Sequence, residues 1–144
     1  MKKSFLIIGE NSFIGSNLFE FLKNKKLNVY ISSSNNFFKN YKKKYFNTDF
    51  IINCSSNKEF VKKKYQVRND NDLIIAKKII NSDTKLIMLS SRKVYNSKFN
   101  IKEFDKEKPS CNYSRNKLLS ETSVKNILYN RVLILRISNI IGLP

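Results

Sequence analysis

Apolar residues in this chain come in short unbroken runs separated by mixed stretches. "SFLII" (4–8), "NVYIS" (28–32), "DFIINCS" (49–55), "KLIMLSS" (85–91) and "RVLILRIS" (131–138) have the length and continuity of strands buried on both faces. Between them the period changes. "FIGSNLFEFLKN" (13–24) places Phe13, Ile14, Leu18, Phe21 and Leu22 on one helical stripe. Residues 35–47 are polar and aromatic and predict a short helix. Residues 58–82 read as one helix, most periodic from Asn69 to Ile80, and 113–128 as another, after a loop holding Pro109. Strands alternating with helices predict an α/β fold: a Rossmann-like, doubly wound parallel sheet of about five strands. Right-handed crossovers put the strands' C-terminal ends on one edge, where ligands bind. The 144 residues predict one domain, 1–144, without repeat or linker.

Composition narrows the chemistry. Hydrophobic residues make up 41% of the chain, enough for a core, and the formal net charge is +17. That charge suits nucleic acid or an anionic small molecule such as a nucleotide. The lysines, however, are spread along the chain, with small clusters at 42–44 and 62–64. No basic stripe interleaved with aromatics occupies one element, so solvated faces are the favoured reading and nucleic acid is disfavoured. There is no histidine, which removes Ser-His-Asp and Cys-His triads and most zinc chemistry. Cys54 and Cys111 form no CxxC, so neither a metal site nor a disulfide framework is expected. No apolar run is long enough for a membrane span. The start, "MKKSFLIIGEN", has too short an apolar stretch for a signal peptide. A cytoplasmic protein without a membrane partner is expected.

The stretch "GENSFIG" (9–15) joins the first strand to the first helix. In that context Gly9 permits a tight turn, the helix N-terminus offers free amides to a phosphate, and Gly15 lets helix and strand approach closely. The spacing G-x-x-S-x-x-G also fits a plain tight turn. Ser12 stands where a phosphate loop carries its middle glycine. Its Cβ costs about 1–2 kcal/mol if the backbone there is left-handed; otherwise its hydroxyl caps the helix or meets a phosphate oxygen.

A second candidate lies in "NYSRNK". Of seven tyrosines, Tyr113 alone has a lysine, Lys117, four residues on, so both share one helical face. A phenol with a pKa of about 10 is a poor base at neutral pH, and a nearby ammonium favours its phenolate. Such a tyrosine can move a proton while hydride goes to a nicotinamide. On spacing alone Tyr113 also reads as a plain helix-start residue. Its place after Pro109 and between two strands favours the catalytic reading.

In order, "GENSFIG", "NCSS", "SSRKVY", "YSRNK" and "RISNIIGLP" resemble the motifs of the extended short-chain dehydrogenase/reductase family, the nucleotide-sugar epimerases, dehydratases and reductases. The resemblance covers nearly the whole chain. It implies that Gly9, Ser12, Phe13, Ile14 and Gly15 face the pyrophosphate of a bound NAD(P), Ser33 the adenosine ribose, and Cys54, Ser55 and Ser56 the middle of the cofactor. It implies Ser91, Tyr113 and Lys117 as catalytic residues, with Tyr113 and Lys117 also touching the cofactor. A nucleotide sugar is the implied substrate. Strand two ends in serines where an acidic residue would select NAD, so NADP is preferred over NAD. Two departures stand out. The segment between 28–34 and 49–56 is shorter than the family's, so a strand and its crossover helix are expected to be missing. The sequence also stops where the family continues into a substrate-binding region. A non-enzymatic NADP-binding sensor of the same fold is the alternative reading. The oligomeric state is left open, a homodimer included.

Overall fold

The computed structural model describes residues 3–41, 45, 47–95 and 100–140. Five parallel strands, β1 (Ser4–Ile8), β2 (Asn28–Ser32), β3 (Phe50–Asn53), β4 (Lys85–Ser91) and β5 (Val132–Ile137), form one sheet in the order β2-β1-β3-β4-β5. The helices are α1 (Phe13–Asn24), α2 (Ser34–Asn40), α3 (Lys58–Lys62), α4 (Asn71–Ile79) and α5 (Asn112–Leu128). This is the expected doubly wound parallel sheet. β1 lies between β2 and β3, so the chain leaves it toward one edge and returns on its other side. Such a reversal opens a crevice at the strands' C-terminal ends.

The central strands carry the core. Leu6, Ile7 and Ile8 of β1, Ile51 of β3 and Leu86 and Met88 of β4 are inaccessible to solvent. From the helices, Ile75, Ala76 and Ile79 of α4 and Val124 and Leu128 of α5 pack into the same interior. β5 departs from the continuous burial its apolar run predicts: Leu133 and Leu135 are exposed. It is an edge strand of the sheet, covered on one face only.

Two expectations change in detail, and a third is met in part. The α1 stripe is only partly inward: Gly15 is the buried residue of that helix, and Phe13 and Phe21 are exposed. The helix approaches the sheet through its glycine, so the large side chains near it cannot all turn inward. The helix expected over 58–82 is broken into α3, a single 3-10 turn at Val67–Asn69, and α4. Local capping explains the break. The Asn57 side chain accepts the Glu59 amide at 2.8 Å, and Asp70 accepts the Leu73 amide at 3.1 Å, so each helix has its own start. Between β2 and β3 no further strand occurs among the described residues, as expected. Instead α2 crosses back, and Phe37, Tyr41 and Tyr45 fill the space as an aromatic cluster.

Candidate functional site

The turn after β1 is built by Gly9. Its φ of 117° is open to glycine and strained for any side chain. An added Cβ would stand 2.9 Å from the Cys54 carbonyl carbon and the Ser55 amide nitrogen. The Gly9 amide donates to the Ser32 carbonyl at 2.8 Å, and the Cys54 amide donates to the Ile8 carbonyl at 2.8 Å. The turn is thereby fastened to the ends of β2 and β3, which brings Ser33 and the Cys54–Ser55 segment alongside it.

Ser12 has extended backbone (φ −90°, ψ 142°), so the serine carries no left-handed strain. Its Oγ accepts the Gly15 amide and donates to the Gly9 carbonyl, both at 2.9 Å. Its own amide donates to Gly9 O at 3.0 Å. Ser12 is the N-cap of α1, and this leaves the amides of Phe13 and Ile14 as first-turn donors without an intrahelical acceptor. No acidic residue lies in that first turn. Ser33 caps α2 in the same way, accepting the Asn36 amide at 3.2 Å, and α2 also lacks an acidic residue in its first turn.

At the end of β3, the Asn53 carbonyl oxygen Oδ1 accepts both the amide of Ser55 (3.0 Å) and its hydroxyl (2.7 Å). Ser55 Oγ also accepts from Asn71. The Cys54 thiol is pushed up to about 11, by burial first and then by the nearby Asp72 charge. Ser56 is exposed at the loop tip.

Ser90 and Ser91 part company at the end of β4. Ser90 Oγ donates to the buried Glu121 carboxylate at 2.5 Å. Ser91 Oγ accepts the Lys93 amide at 3.2 Å, which leaves its hydroxyl proton free to be donated. Helix α5 starts just after Cys111, whose amide donates to Ser114 Oγ at 3.2 Å. Tyr113 is half-buried in its first turn. Lys117, one turn on, is buried. Its Nζ donates to the Leu89 carbonyl at 2.8 Å and lies 3.3 Å from Asp72 Oδ2. Asp72 is an acid that sequence reasoning did not single out. Burial pushes its carboxyl up, and Lys117 and an Asn53 hydrogen bond oppose that. The only hint in the sequence is an acid next to the apolar run of α4.

The last residue of one motif and the first of another, Tyr95 and Arg136, have a different task. Arg136 donates to both Glu121 oxygens, to Glu107 Oε1 at 2.8 Å and to the Tyr95 hydroxyl at 2.5 Å. These bonds hold its guanidinium above its ordinary value, Glu121 contributing most. Tyr95 and Arg136 therefore tie the loop after β4 to β5. A cavity of about 1210 Å³ opens beside them along β5. Gly9, Tyr113 and Lys117 do not line it; it runs along β5 from Leu133 to Ser138 and reaches Arg92 and Tyr95 after β4. Gly142 and Pro144 of the last motif lie outside the described residues, as do the lysines at 42–44. No helix among the described residues is long and apolar enough to cross a membrane.

Comparison with known proteins agrees with the fold. No curated protein sequence matches significantly. Among solved structures the chain is similar to dTDP-4-dehydrorhamnose reductase from Yersinia enterocolitica, at 24% identity and a TM-score of 0.77, covering 98% of this chain and 54% of that one. It is similar to the Bacillus anthracis dTDP-4-dehydrorhamnose reductase in complex with NADP, at 19% identity and 0.77, covering 96% and 54%. It also resembles the UDP-glucuronic acid 4-epimerase of Bacillus cereus in complex with NAD, at 18% and 0.69, covering 94% and 56%. At these identities the likeness is one of fold, and the chain spans about half the length of each. The family model described as RmlD substrate binding domain matches residues 2–143, in line with the extended short-chain dehydrogenase/reductase motifs, and the chain belongs to that family.

Proposed function

We propose that this chain is the cofactor-binding and proton-transferring part of an NAD(P)-dependent nucleotide-sugar reductase, epimerase or dehydratase. One observation carries the reading: the glycine turn of β1 packs on the loop after β3, and Lys117 of α5 is joined through Asp72 to Asn53 at the end of β3. Gly9 packs on Cys54 and Ser55, and Lys117 bonds the carbonyl of Leu89 near the end of β4.

The residues present fit a dinucleotide. The Phe13 and Ile14 amides at the positive end of α1 suit a pyrophosphate, and no carboxylate in that turn repels it. Ser33 suits the adenosine ribose, and the serines after β3 suit the middle of the molecule. When bound, a nicotinamide cofactor supplies hydride transfer. The chain's own residues supply the rest. Tyr113 exchanges a proton with the sugar oxygen, as a general acid or base. Ser91, its oxygen already occupied by the Lys93 amide, donates its proton to the same oxygen. Lys117, one helical turn after Tyr113, lies within the proposed cofactor-binding edge, its Nζ bonded to Leu89 O. The neighbours' nucleotide-sugar names support the substrate class.

Titration of NADPH and NADH into the chain, followed by nicotinamide fluorescence, tests the reading. Saturable binding of at least one is expected. Binding of neither overturns it.

A further inference from the structure

Lys117 is 6% exposed, and a buried ammonium without a counter-charge would either lose its proton or swing out to water. Asp72, 3% exposed in the first turn of α4, stands opposite it, with Oδ2 3.3 Å from Nζ. The same ammonium donates to Leu89 O and lies 5.5 Å from the centre of the Phe60 ring. Asp72 Oδ1 accepts from Asn53 Nδ2 at 2.6 Å, and Asn53 Oδ1 in turn receives the amide and hydroxyl of Ser55. A continuous chain of bonds thus runs from the loop after β3, through Asn53 and Asp72, to Lys117 on α5. Three elements distant in sequence are locked together by one carboxylate.

We propose that Asp72 is a positioning residue for Lys117, holding its charged ammonium between the ends of β3 and β4 and in register with the Cys54–Ser56 loop. This rests on the proposed function, because the place so defined is the cofactor-binding edge. A merely structural ion pair would have the same geometry. It differs in consequence: Asp72 acting through Lys117 affects cofactor binding only while Lys117 is there.

A double-mutant cycle separates the two. Asp72→Asn removes the charge at nearly constant size. Lys117→Gln removes the ammonium and keeps a group able to bond Asp72 and Leu89 O. NADPH and NADH affinities are measured for the parent, both single variants and the pair, with circular dichroism and thermal unfolding to verify folding. Asp72→Asn is expected to weaken binding by about tenfold when Lys117 is present. In the Lys117→Gln background the same change is expected to alter affinity by less than about twofold. Equal weakening in both backgrounds, or no weakening beside Lys117, overturns the role. If Asp72→Asn does not fold, Asp72→Thr enters the same cycle with the same criteria. A parent chain that binds neither cofactor overturns the proposed function itself, and this role with it, a failure told apart by needing no variant.

Discussion

An ideal Cβ on Gly15 would stand 2.2 Å from the carbonyl oxygen of Gly9. The second glycine of the turn is thus required by the first, since helix α1 rests directly on the backbone that Gly9 bends. Gly15→Ala must push helix and turn apart. We expect a loss of about 1–3 kcal/mol, as for overpacking elsewhere. Urea unfolding measures it, and an unchanged midpoint would show that the contact yields freely.

Ser12 makes the opposite case, a side chain where the family motif has none. Its value is the cap on the Gly15 amide. Ser12→Ala is expected to cost about 1 kcal/mol, whereas Ser12→Gly should cost only a few tenths. Chemical denaturation of both variants checks the order. A glycine variant weaker than the alanine one would mean that the cap contributes little.

Ser90 and Ser91 are adjacent but should fail differently. Ser90→Ala leaves the buried Glu121 short of a donor and is expected to lose about 1.5–3 kcal/mol of stability. Cofactor affinity should stay unchanged. In a form of the protein that turns over a nucleotide sugar, Ser91→Ala and Tyr113→Phe should instead lower kcat with little change in stability. For Tyr113→Phe the loss should be roughly 10²–10⁴-fold, as for other general acid–base residues. Full activity in Tyr113→Phe would leave the Tyr-Lys spacing without catalytic meaning.

Ser33 lies beside the glycine turn because the Gly9 amide bonds the carbonyl of Ser32. With a serine and no carboxylate there, NADPH is expected to bind more tightly than NADH. Ser33→Asp should swing the preference toward NADH. Fluorescence titration of each reduced cofactor decides it: equal affinities in the parent, or no swing in the variant, reject the preference.

Asp49 gives a pH signature at the far end of the sheet. The Ser4 amide, the Ser4 hydroxyl and Lys3 hold its carboxyl down from 3.8 to about 2. Its folded value is the depressed one. The stabilisation is therefore complete above the unfolded value of 3.8 and is lost as pH falls through about 2. Thermal unfolding followed from pH 5 downward should show Asp49→Asn declining less steeply than the parent in that window. Parallel curves would show that the bonds to Ser4 do not persist.

Much of this was legible in the order of residues. Short apolar runs spaced by amphipathic stretches determine a parallel α/β sheet, because a strand buried on both faces tolerates no polar alternation. Gly9 and Gly15 announce a strand-to-helix turn, since few other residues survive a left-handed φ or so close a backbone contact. Tyr113 and Lys117 share a face by helical period alone. What sequence could not decide was every choice made by a distant partner. That the Ser90 hydroxyl is taken up by a buried Glu121, 31 residues away, is one such choice. The break between α3 and α4 turned on two side-chain caps that outbid a continuous apolar period. The exposure of Leu133 and Leu135 follows from β5's place at the edge of the sheet, which an apolar run does not reveal. Asp72 is the plainest example. As a letter it is one acid within a helix, and only the fold sets it 3.3 Å from a lysine 45 residues on, where burial makes each charge depend on the other.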